Sequence, residues 1–96
     1  MTSPKQDQED IVAQIEAELA KLKVADVLLH TISTVASLAY RRLSEQDRDL
    51  EQVHLAIESL RVVVPLLEGV VPEDVLRDFR QVTANLQLAY ADALVG

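Results

Sequence analysis

The sequence predicts an all-α fold, and three observations carry that prediction. Apolar residues recur three and four apart, and strand-type alternation is sustained nowhere. Two glycines, Gly69 and Gly96, and three prolines, Pro4, Pro65 and Pro72, are the only strong breakers in 96 residues. The expected connections are short and hold helix caps or stops. The predicted architecture is three antiparallel core helices plus an N-terminal amphipathic helix, a four-helix up-down bundle. Residues 1–7 read as a disordered tail, 8–22 as the amphipathic helix and 24–96 as the bundle.

The first helix is expected from about Gln8 to Leu22, with Asp7 as N-cap and Glu9 and Asp10 placed well against the helix dipole. Its apolar positions, Ile11, Ile15, Leu19 and Leu22, form one narrow stripe on a charged helix. Such a stripe suits a peripheral or partner-seeking element. No breaker separates this helix from the next. A break near Lys23–Asp26 is nonetheless expected, because the stripe changes phase there and one helix of about 35 residues is long for a globular domain.

The second helix, Val27–Leu43 with Asp26 as its cap, is the most apolar. Leu28, Ile32, Val35 and Ala39 form one stripe, and Leu29, Ala36 and Leu43 a second beside it. The wide face predicts a central position, with Ser33, Ala36, Ser37 and Ala39 small enough for close packing. Arg41 and Arg42 suit its C-terminal end. Asp49 with Gln52 fits a capping box for the third helix. Leu50, Val53, Ile57, Leu60, Val64 and Leu67 then follow at spacings of 3, 4, 3, 4 and 3, a heptad seam. Pro65 should kink or end this helix, and Gly69 should stop it. Pro72-Glu73-Asp74 opens the last helix. Its expected core stripe is Val75, Phe79, Val82, Leu86, Ala89 and Ala93, flanked by Leu76 and Tyr90.

Composition bounds the rest. A chain of 10.6 kDa exposes about 5,500 Å² folded and about 15,000 Å² unfolded, so roughly 64% of its surface is buried in a compact monomer. With no Cys there are no disulfides or thiolate metal sites, so stability must come from helix packing or a partner subunit. A net charge of −7 disfavours nucleic acid and anionic membranes as partners. Residues 1–10 contain no apolar run of the secretory type, and Val24–Tyr40 is too short and polar to span a bilayer; the expectation is a cytoplasmic protein.

Apolar surface exceeds what three helices need. The run Val62–Leu67 is apolar around the whole helix, and Val70 and Val71 extend it. The last helix has a second stripe, Ala84, Leu88, Ala91 and Val95, away from Phe79. Either the first helix covers this surface in a closed four-helix monomer, or it is a subunit interface; a two-fold dimer is the preferred expectation. The residues expected to carry it are Val63, Leu67, Leu88 and Val95. Ile11, Ile15, Leu19 and Leu22 would engage a partner protein as a helix in a groove.

Catalytic signals are weak. Glu51-x-x-His54 with Glu58 puts carboxylates and an imidazole on one helix face, as in di-iron bundles, but those need two such motifs. The three residues flank the seam, so a solvated polar flank is the preferred reading over metal binding. His30, four after Asp26, reads as a satisfied core histidine. Thr31, Ser33, Thr34 and Ser37 have no base nearby in sequence and read as packing residues. There is no phosphate loop, basic patch or aromatic platform. No enzyme, cofactor or metal is therefore expected. A second alternative is an acidic adaptor for a basic ribosomal or nucleic-acid-associated protein, since Ser44–Glu68 holds 6 acids and 2 bases.

From Val24 to Leu94 the chain resembles a small bacterial family known only as a domain of unknown function (number eighteen-forty-four). The residues that carry the resemblance are Ala25-Asp26-Val27-Leu28-Leu29-His30-Thr31-Ile32-Ser33, the start at Asp49-Leu50 and Ala56-Ile57-Glu58-Ser59-Leu60. Gly69, Glu73-Asp74 and the closing Leu86-Gln87-Leu88-Ala89-Tyr90 complete it, the last being the most specific. The resemblance implies a helical fold and assigns no reaction.

Overall fold

The computed structural model describes residues 4–96. Four α-helices follow in order: α1 (Pro4–Lys21), α2 (Val24–Leu43), α3 (Leu50–Leu66) and α4 (Glu73–Val95). Helices α2, α3 and α4 all pack on one another as a three-helix bundle. Among the described residues, α1 packs on none of them. No single helix is long and apolar enough to cross a membrane.

The break between α1 and α2 falls at Leu22–Lys23. Lys23 is extended (φ −99°, ψ 144°), and its carbonyl accepts the N–H groups of Asp26 (3.0 Å) and Val27 (3.2 Å). The helix therefore starts at Val24, with Asp26 in its first turn instead of at the cap. Helix α1 likewise starts before the expected Gln8, with Asp7 in its first turn. Residues 1–3 of the expected tail lie outside the described residues. The axes of α1 and α2 meet at 91°, so α1 projects sideways from the bundle.

The two remaining connections are held by specific bonds. At the end of α2, the Arg48 guanidinium donates to the Leu43 carbonyl at 2.9 Å and the Asp49 N–H to the Arg42 carbonyl at 2.9 Å. These bonds satisfy carbonyls left open at a helix C-terminus. Asp49 caps α3 through the Gln52 N–H (3.4 Å), as the sequence predicts. Pro65 sits one residue from the end of α3, as expected of a residue that kinks or ends a helix. Gly69 takes φ +76°, the left-handed geometry that turns the chain towards α4. Arg80 spans this turn, with Nη1 donating to Glu73 at 2.7 Å and Nη2 to Glu68 at 3.2 Å. The Glu73 hydrogen bond, more than the Glu68 contact, raises the Arg80 pKa above its ordinary value.

The core runs along the predicted seam of α3. Val53, Ile57, Leu60, Val64 and Leu67 are buried there, facing Ile32, Ala36 and Ala39 of α2 and Leu76 and Leu86 of α4. Three expectations need correction. In α4 the deepest positions are Leu76, Thr83 and Leu86, while Val75, Phe79, Val82, Ala89 and Ala93 are half-buried. Counting apolar residues alone hid Thr83, whose hydroxyl is satisfied by donating to its own Phe79 carbonyl at 2.7 Å. His30 is exposed, because it lies on the far side of α2 from Ile32. Ser33 and Ser37 also face outward, and only Ala36 and Ala39 act as small packing residues.

Candidate functional site

The polar candidates separate into small local arrangements. Thr31, Ser33 and Thr34 each donate to the carbonyl four residues back, at 2.8, 2.8 and 3.1 Å. Their hydroxyl protons are thus engaged by their own helix instead of a base. His54 Nε2 lies 3.9 Å from Glu58 Oε1, and that same oxygen accepts from Arg61 at 3.1 Å. The His54 ring also lies beside Tyr90, with centroids 5.8 Å apart. Among the described residues no group of three or more His, Asp or Glu is arranged to hold a metal ion. The acids of 44–68 are partly neutralised in place: Asp47 pairs with Arg41, Glu58 with Arg61 and Glu68 with Arg80.

The apolar candidates are distributed unevenly. Ile11, Ile15 and Leu19 are exposed along α1, joined by Val12, and Leu22 is exposed in the link just past its end. Leu88 and Val95, 68% and 91% exposed, lie on the outer face of α4. Val63 is half-buried against the core, and Leu67, 2% exposed, belongs to it. Leu67 is therefore no interface residue of this fold; it continues the heptad seam past the end of α3, and the monomer itself consumes it. Val63 and Val95 also sit at opposite ends of the bundle, because α3 and α4 run antiparallel. The four residues 63, 67, 88 and 95 do not form one patch.

A different apolar surface is contiguous. Between α2 and α3 lies an open cleft of about 230 Å³, lined by Val35, Leu38, Ala39 and Arg42 from α2 and Gln52, Leu55, Ala56 and Ser59 from α3. Helical spacing puts Leu55 and Ser59 on the opposite flank of α3 from Arg61 and Pro65, which line the α3–α4 groove. Continuing at spacings of 3 and 4, the same flank of α3 carries Val62 and Leu66, both exposed. On α2 the corresponding flank carries Val24, Val27 and Thr31, also exposed. Exposed residues thus continue the flank past the cleft on both helices. No carboxylate lines the cleft, and Arg42 stands at one end of it.

The available signal for this face was the set of apolar residues, Leu38 and Leu55 above all, that fell outside every predicted stripe. No protein-family model, curated protein or solved structure matches this chain.

Proposed function

We propose that this protein is a non-catalytic protein–protein interaction module whose work is self-association, with a two-fold dimer as the working assembly. The observation that carries the reading is surface left over after the core is complete. The chain exposes 7169 Å², against about 5,500 Å² for a compact chain of its mass. Much of the surplus is large apolar side chains: the α1 stripe, and Leu38, Leu55, Val62 and Leu66 along the cleft. Contiguous apolar surface of this kind marks a place where another protein sits. The engaged hydroxyls and the paired Glu58 favour this reading over a metal or hydrolytic site. The internal pairing of Asp47, Glu58 and Glu68 likewise favours it over an acidic adaptor.

Light scattering on a sizing column is the direct test. The expected result is a species of twice 10.6 kDa at micromolar concentration. A single 10.6 kDa species across that range would overturn the reading.

A further inference from the structure

We propose that the occupant of the α2–α3 cleft is helix α1 of a second copy, so that two chains exchange their N-terminal arms. The inference rests on the self-association reading and names the surfaces that meet.

Four observations select this occupant. The first is reach. Only Leu22 and Lys23 separate α1 from α2, and the two axes meet at 91°. Laying α1 along its own cleft requires reversing the chain within those two residues, the short limit for a helix–helix connection in a bundle. A projecting arm meets no such constraint on a neighbour.

The second is length and spacing. Within α1 the stripe Ile11, Ile15, Leu19 covers eight residue steps, about 12 Å of helix, and Leu22 continues it into the link. The cleft lining covers seven steps on each wall, Val35–Arg42 of α2 and Gln52–Ser59 of α3, about 10 Å. One helix of this length fills the cleft from end to end.

The third is charge. Asp7–Lys21 carries five carboxylates and one lysine, while α2 carries Asp26 against Arg41 and Arg42. Glu9 and Glu16 border one side of the α1 stripe, Asp7 and Glu18 the other. A cleft without carboxylates in its lining and with Arg42 at its rim suits such an acidic helix.

The fourth is area. The surplus over a compact chain is about 1,700 Å² per copy, or about 3,400 Å² for two. That falls in the range of obligate homodimers, about 2,000–5,000 Å². Exchange also makes the interface self-complementary, since each copy supplies one arm and one cleft.

The chain has no cysteine, so single thiols can report the contact directly. Leu19→Cys and Leu55→Cys are made in separate full-length chains, with Leu19→Cys and Val62→Cys as a second pair to cover a shifted register. All three positions are exposed in the isolated chain. Equal mixtures are treated with a short bismaleimide and read by mass spectrometry, beside each variant alone and the Leu19→Cys/Leu55→Cys double variant. The expected result is a crosslinked hetero-pair joining position 19 of one chain to position 55 or 62 of the other, at least tenfold more abundant than either homo-pair. A dominant homo-pair through position 19 would overturn the exchange in favour of arm-to-arm pairing. An intrachain link in the double variant, with no hetero-pair in the mixtures, would place the arm on its own bundle and overturn it too. If scattering gives a dimer but no crosslink forms at position 19, self-association stands and the arm exchange fails; if scattering gives a monomer, both fail.

Discussion

Leu60 shows how little redundancy this core has. It is fully buried where the three helices of the bundle meet, and no disulfide backs it up. Leu60→Ala is expected to cost about 2–5 kcal/mol, the transfer and cavity terms together, read from chemical denaturation followed by circular dichroism. A loss below about 1 kcal/mol would mean that the three helices collapse around the gap. Thr83 is the contrasting case. Its hydroxyl donates only to Phe79 in its own helix, so Thr83→Val leaves no buried donor unpaired. The expected change is within about 1 kcal/mol of zero, whereas the same replacement in an interhelical network would cost more. Gly69 is needed for its backbone. No atom stands within 4 Å of where a Cβ would lie, so Gly69→Ala isolates the left-handed strain at φ +76°. A loss of about 1–2 kcal/mol is expected in the same denaturation assay.

At the scale of elements, α1 differs from the other three helices. An isolated helix of 18 residues is marginal in water, and α1 gains nothing from packing on its own bundle. Its amides are therefore expected to exchange rapidly with deuterium in dilute protein and to become protected as concentration rises. Protection of α1 that is strong and independent of concentration would mean that it packs within its own chain. The amides of α3 should be slow under both conditions, because α3 is sandwiched between α2 and α4 along the heptad seam.

For the molecule as a whole, the projecting arm sets the dimensions. The radius of gyration is 18.7 Å, with extents of 64 × 36 × 16 Å, against about 12–13 Å for a compact domain of this length. Small-angle scattering extrapolated to dilution is expected to give a value nearer 18.7 Å than about 13 Å. A value at the compact end would show α1 folded back on its own chain.

Much of this was legible from residue order. The four helices, the cap at Asp49, the turn at Gly69 and the seam of α3 follow from local chemistry: spacing, side-chain capping and backbone freedom act over a few residues. The exposed stripe of α1 was legible for the same reason. What packing alone decided was which apolar flank remains open. Periodicity fixes where a side chain lies around its own helix axis, but not how many neighbours that helix has or on which flank they sit. Once α4 settled on one side of α2 and α3, Leu67 went into the core and Leu38 and Leu55 were left beside an open cleft. The two-residue link at Leu22–Lys23 then turned α1 away from it, a consequence of chain reach that no hydrophobic pattern records.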